Sequence, residues 1–98
     1  MKDHNTMYLR NPDFIFRKIV GEMILVPIHA DVADLNCLYT LNDVGAFLWE
    51  RLSEPSSFSD LTQAVLENYE ISLDQAAEDI EAFIQELLSL EALTEVQK

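Results

Sequence analysis

The chain has a single cysteine, Cys37, which excludes an intramolecular disulfide and fits a reducing cytoplasm. Glycine occurs twice, at Gly21 and Gly45, too sparsely for a Gly-rich phosphate loop. Three prolines leave no room for a linker-like or low-complexity composition. Basic residues are scarce as well: six Lys and Arg stand against 18 Asp and Glu, for a formal net charge of −12. Such a surface repels nucleic-acid phosphates and anionic membranes; it suits a basic partner, or simply keeps a small protein soluble. No apolar run approaches the roughly 18 residues of a membrane-spanning helix. The opening MKDHNTMYLR carries no apolar stretch of signal-peptide length. The expectation is a soluble, cytoplasmic protein without a membrane partner.

Ninety-eight residues, 49% of them hydrophobic, suffice for one domain with a real core. Residues 1–12 are polar, end in Asn11-Pro12, and are expected to form a flexible N-terminal arm, with a single domain over 13–96. FIFRKIV (14–20) and MILVPI (23–28) are rich in aromatic and β-branched residues, so they read as strands. Gly21-Glu22 between them fits a two-residue type II′ turn. After a polar connection, LNCLYTL (35–41) reads as a third strand, and a three-stranded antiparallel meander is the simplest arrangement.

Three helices follow. Asn42 is a favourable N-cap and Asp43 suits the positive end of the helix dipole. Val44, Leu48 and Leu52 form one stripe beside Phe47, and Pro55 ends the helix. Ser57 with Asp60 opens a second helix, with Leu61, Val65 and Tyr69 as its buried side. Ser72 with Gln75 opens a third as a capping box. From Leu73 to Ser89, apolar residues centred on Ile80 recur at spacings of three and four. LEALTEV (90–96) reads as a tail that packs back on the body. The fold class is therefore α+β and winged-helix-like, a three-stranded antiparallel β-meander followed by three α-helices.

Chemistry-bearing constellations are missing. His4 and His29 have no Ser, Cys or Asp at a spacing that implies a dyad. Neither they nor Cys37 show paired metal-ligand spacing. The reading is a non-enzyme with no catalytic residue, metal or cofactor. Cys37, Trp49, Phe14 and Phe16 read as packed core. The third helix carries Asp74, Glu78, Asp79, Glu81 and Glu86 and no basic residue, a charge that strongly opposes service as a recognition helix for DNA.

The meander has two edges, and an exposed edge is a row of unpaired N–H and C=O groups. In the order one-two-three, the third strand is an edge. The long third helix can flank it and make a groove, into which an extended peptide could add as a fourth strand. The same edge could instead serve self-pairing in a homodimer or a structural module, and a winged-helix regulator is the remaining alternative.

The stretch LYTLNDVGAFLWERL (38–52), with Leu41-Asn42, Gly45-Ala46 and Leu48-Trp49, resembles the signature of the PqqD-like family. GEMILVPI resembles that family's second strand. SFSDLTQAVLENYEIS resembles its second helix, and AAEDIEAFIQELLSLEAL its third helix and closing segment. The resemblance runs over roughly 13–94. It implies a recognition element for ribosomally made, post-translationally modified peptides, similar to the chaperone that holds the precursor of pyrroloquinoline quinone for a radical SAM enzyme. It further implies that a precursor's leader adds as a strand beside the third strand, in a cleft with the third helix. Carried over, the peptide-binding residues are Leu35, Asn36, Cys37, Leu38, Tyr39, Thr40 and Leu41, with Ala76, Ala77, Asp79, Ile80, Phe83 and Ile84 on the helix. The sequence leaves open which shoulder of that helix faces the cleft. Asp79 and Glu81 beside it would favour a leader with Lys or Arg. The expected partners are a leader peptide and a peptide-modifying enzyme of radical SAM type or similar. One departure stands out: many members have an Asp-Gly turn after the first helix, where this chain has SEPSSF. That leaves the particular precursor open.

Overall fold

A computed structural model describes residues 6–28 and 39–97. Its core is the expected meander: β2 (Phe14–Ile19), β3 (Glu22–Pro27) and β4 (Tyr39–Leu41), all antiparallel, in the order β2-β3-β4. The register pairs Phe16 with Leu25 and Leu25 with Tyr39, which sends Leu25 and Leu41 into the core. The part of the expected third strand at 35–38, with Cys37, lies outside the described residues. Three helices follow, α1 (Asp43–Arg51), α2 (Phe58–Asn68) and α3 (Leu73–Ser89). The molecule is thus an α+β fold.

Helix starts follow the caps read from sequence. Asn42 Oδ1 accepts the Gly45 N–H at 2.7 Å, satisfying one of the orphan donors of the first turn. Ser57 and Asp60 make a full reciprocal box, at 3.0 and 3.1 Å. At α3 only half of the box forms: Ser72 accepts from the Gln75 N–H, but the Gln75 side chain donates to Asp79 Oδ1 at 2.8 Å. The missing half would have the Gln75 side-chain oxygen accept the Ser72 N–H; the amide is instead drawn one turn ahead, where it donates to a carboxylate, a charge-assisted bond. The α3 stripe is buried at Ala76, Ile80, Phe83, Ile84 and Leu87. Leu73, in the first turn, is 59% exposed, beyond the reach of the layer beneath.

The structure corrects several expectations. Residues 6–10 are not an arm: Thr6–Arg10 form strand β1, and Tyr8 within it is 2% exposed. The tail at 90–96 supplies its partner, β6 (Leu93–Gln97), and a two-residue strand β5 (Ser56–Ser57) lies on the other side. These make a second antiparallel sheet, β5-β1-β6. Asn11 ties it to the end of α3, with its backbone N–H on the Ala92 carbonyl and its side chain on the Glu91 carbonyl, each at 2.8 Å. The third correction is to packing: Phe16, expected in the core, is 38% exposed, because β2 is the outer strand and carries little over it.

The hairpin is also one residue out of its expected register. Ile19 pairs with Glu22, so the two turn residues are Val20 and Gly21, not Gly21 and Glu22. Both have positive φ, 49° and 82°, the signature of a type I′ turn, whose twist matches that of the flanking strands. Val20 is 98% exposed, so nothing packs on it to offset the left-handed conformation that its β-branch disfavours. Val20→Asn should therefore stabilise the fold by about 1 kcal/mol, read as a raised urea midpoint with unchanged slope. A lowered midpoint would mean that the turn is not of this type.

The C-terminus of α3 closes in a Schellman arrangement. The Glu91 N–H donates to the Leu88 carbonyl at 3.0 Å and the Ala92 N–H to the Leu87 carbonyl at 2.8 Å, with Glu91 at φ 64°. This turn reverses the chain into β6 and buries Ala92 and Leu93 beneath it.

Candidate functional site

The site begins at the junction of β4 and α1. Alternation along β4 sends Tyr39 and Leu41 towards the helices, while Thr40 lies exposed on the other face. The Asn42 cap turns the chain at once into α1, so strand edge and helix N-terminus share one wall. Gly45 lets that wall come close to α3. A Cβ placed there would lie 3.2 Å from Asn42 Oδ1, 3.3 Å from Leu41 Cδ2 and 3.4 Å from Phe83 Cε1.

Between β4, α1 and α3 lies a cleft of about 430 Å³, within the size range of ligand pockets. β4 and the α1 junction contribute Tyr39, Thr40, Leu41, Asn42, Val44, Gly45 and Leu48; α3 contributes Asp79, Ala82, Phe83 and Glu86. Leu41, Val44, Leu48 and Phe83 make its apolar part. Among the described residues, no strand pairs with β4 on the side away from β3.

Of the residues expected in a peptide site, Tyr39, Thr40, Leu41, Asp79 and Phe83 meet in this cleft. Ala76, Ile80 and Ile84 do not: they are wholly buried in the core, and Ala77 is half-buried away from the cleft. Glu81 is exposed and does not line it either; its carboxylate accepts from Gln85 at 3.3 Å. Leu35, Asn36, Cys37 and Leu38 lie outside the described residues. Sequence reasoning missed Asn42, Val44, Gly45, Leu48, Ala82 and Glu86. The signal for the last two was present: Asp79, Ala82, Phe83 and Glu86 fall at i, i+3, i+4 and i+7, one shoulder away from the buried stripe.

One end of the cleft is spanned by a hydrogen bond from the Tyr39 hydroxyl to Glu86 Oε2. The Tyr39 pKa is pushed up from 10.0 to about 12, first by burial of the phenol, then by its hydrogen bond to Glu86 and the negative charge of that carboxylate. The consequence for stability has a definite sign. The unfolded chain releases this proton near pH 10, whereas the folded chain keeps it to about pH 12. The folded state thus binds more protons over that interval. The contribution is complete below pH 10 and is lost as pH rises towards 12. Glu86→Gln should lower the Tyr39 pKa part of the way to 10.0 while burial holds the rest. Tyrosine ring NMR titration, assigned with Tyr39→Phe, measures this; an unmoved pKa would refute the link to Glu86.

Among the described residues, no group of three or more His, Cys, Asp or Glu is placed to hold a metal ion, and no helix is long and apolar enough to cross a membrane. The residues lining the cleft include no Ser, Cys, His or Lys.

Two solved structures share this architecture. One, described as "Lasso peptide synthetase B1 complexed with the leader peptide", is 21% identical with a TM-score of 0.67; the match covers 91% of this chain and 96% of that one. The other, "TbiB1 in Complex with the TbiA(beta) Leader Peptide", is 19% identical with a TM-score of 0.68, covering 87% and 93%. At that identity the likeness is one of fold. No curated protein matches the chain. Residues 22–93, which run from β3 through the cleft to the start of β6, match the family "Coenzyme PQQ synthesis protein D (PqqD)". The chain belongs to the PqqD family.

Proposed function

We propose that this domain is a non-catalytic peptide chaperone. It takes the leader of a ribosomally synthesised precursor as an added strand on β4 and presents it to a modifying enzyme, of radical SAM type or similar, in the cytoplasm. The observation that carries this reading is the open edge of β4 lying beside an apolar cleft. Main-chain groups on that edge supply affinity without regard to sequence, and the cleft supplies side-chain choice. The three described residues of β4 turn about two to four main-chain groups outward; at about 0.5–1.5 kcal/mol net each, with two or more buried side chains at about 1.5–3 kcal/mol each, they approach the roughly 8 kcal/mol of micromolar binding. The two structures of like fold are each described as a complex with a leader peptide, which supports the same use here. Holding the leader converts an encounter between enzyme and substrate into a tethered one and raises the effective concentration of the segment to be modified.

The acidity of α3 argues against the nucleic-acid alternative. Asp74, Glu78, Asp79, Glu81 and Glu86 are all exposed, and a polyanion approaching that face is repelled. The test uses synthetic leader segments of short precursor peptides encoded beside the gene, titrated against the labelled protein and read by amide shifts. Shifts should concentrate at Tyr39–Leu41 and along Asp79–Glu86. Methylating alternate amide nitrogens of a bound segment should weaken it by about tenfold or more, since each lost main-chain bond costs about 1 kcal/mol. Affinity indifferent to N-methylation would exclude strand addition.

A further inference from the structure

The α3 wall of the cleft has a charge pattern that restricts what an added strand can be. Its lining residues include two carboxylates, Asp79 and Glu86, and no Lys, Arg or His. Each carboxylate already accepts one hydrogen bond, Asp79 from the Gln75 amide and Glu86 from the Tyr39 hydroxyl. Both donors are neutral, so neither negative charge is offset. The described cations are engaged or placed elsewhere: Arg10 lies over Trp49 and Arg51 over Phe47, while Arg17 and Lys18 sit on β2, at the opposite edge of the meander.

Spacing sharpens the pattern. Asp79 and Glu86 are seven residues apart, two helical turns, so they project from nearly the same face about 10.5 Å apart along the axis. Between them the wall is apolar, with Ala82 and Phe83 facing the cleft. β4 runs alongside in the opposite sense, Tyr39 beside Glu86 and the Leu41–Gly45 junction beside Phe83. An added strand therefore passes both carboxylates in turn. Its residues on that side alternate, about 6.6 Å apart, so residues four apart are separated by about 13 Å. Long flexible side chains close the remaining 2–3 Å, and the residue midway between them faces Ala82 and Phe83. A separation of two residues, about 6.6 Å, falls about 4 Å short of the carboxylate spacing and leaves no residue between them on that side to face Ala82 and Phe83.

We infer that the cleft selects an extended segment with an apolar residue flanked at positions −2 and +2 by Lys or Arg. The pattern is symmetric, so it holds whichever way the segment runs. It rests on the strand-addition reading above, and it names the class of leader that this chain accepts. Partly exposed ion pairs are each worth up to about 1 kcal/mol, which is roughly fivefold per pair in affinity.

The experiment is selection from a displayed library of short random peptides with a fixed central leucine. The wild-type protein should enrich Lys and Arg at −2 and +2 by about threefold or more over the unselected pool. The double variant Asp79→Asn, Glu86→Gln should still retain peptides but lose that enrichment. The charge-reversed double variant Asp79→Lys, Glu86→Lys should enrich Asp and Glu at the same two positions, an exchange that a merely structural role for these exposed residues would not produce. Enrichment absent in the wild type, unaltered in the neutral variant or centred on a two-residue spacing overturns the inference while strand addition stands. Failure of the wild type to retain any peptide of the library, with circular dichroism showing a folded protein, overturns both.

Discussion

Trp49→Ala is expected to cost about 3–5 kcal/mol of folding free energy, a large share of the roughly 5–15 kcal/mol that holds a typical domain together. Trp49 is 3% exposed and belongs to the same buried cluster as Tyr8, Leu52 and Leu93. It also meets the end of β1. The Arg10 guanidinium, at the end of β1, lies 5.6 Å from the centre of the indole and donates to the Trp49 carbonyl at 3.2 Å. Truncation removes the largest side chain of the helix, leaves a cavity that close-packed neighbours fill only in part, and takes away the face on which Arg10 rests. Urea unfolding followed by far-UV circular dichroism measures the loss, since this is the only tryptophan and fluorescence goes with it. A drop below about 1 kcal/mol would place Trp49 outside the core, against its burial. Trp49→Phe should recover much of the stability, because it retains an apolar ring at the same place.

The second large effect concerns Gly45. Adding even a methyl group there meets three atoms at 3.2 to 3.4 Å, on the cap, the strand and α3 together. Helix propensity alone would reward Gly45→Ala by about 1 kcal/mol; overpacking in a site hemmed on three sides costs about 1–3 kcal/mol. For alanine the net runs from about zero to a loss of about 2 kcal/mol. For Gly45→Val the balance is lost, because two further methyls must fit and the β-branch forfeits part of the propensity gain. That variant should fall by about 1–3 kcal/mol, and α1 should move away from Phe83 or push its methyls into the cleft. Either change alters the apolar floor, so leader affinity should drop by about tenfold or more, the equivalent of 1.4 kcal/mol. Thermal unfolding and a peptide titration on the same preparation decide the matter. Gly45→Val with unaltered stability and affinity would show that this contact has room to give.

These two residues indicate what was legible in the sequence. Gly45 and Trp49 lie within a short stretch where strand, cap and helix succeed one another, and local rules describe all three. The extent of α3 could be read because its apolar spacing persists over 17 residues. The strand β1 could not. Its register partners lie near the other end of the chain, as where the Thr94 hydroxyl reaches the Leu9 carbonyl across 85 positions, and no local pattern announces such a pairing. The hairpin slipped by one residue because Val20 favours a strand by propensity, while the pairing of Ile19 with Glu22 puts it in the turn. Of the residues singled out in the sequence, Tyr39–Leu41, Asp79 and Phe83 line the cleft while Ala76, Ile80 and Ile84 lie in the core, and which shoulder of α3 faces the cleft could not be read, for a general reason. An apolar stripe marks the residues a helix buries, such as Ile80 and Ile84. The wall of an open cleft stays in reach of water, so it falls on the neighbouring shoulder, where Asp79 and Glu86 look like ordinary surface charge.

The pairing of Thr6 with Gln97 has a bearing on how such a module can be joined to others. Antiparallel neighbours in one sheet stand about 5 Å apart, so a polypeptide spliced ahead of Thr6 and one spliced after Gln97 depart from almost the same point. A catalytic unit fused at either terminus would swing about a common pivot and sample a similar volume around the domain. Order along a gene then matters little to the geometry of delivery, and shuffling the two halves of a fusion leaves the reach of its tether nearly unchanged.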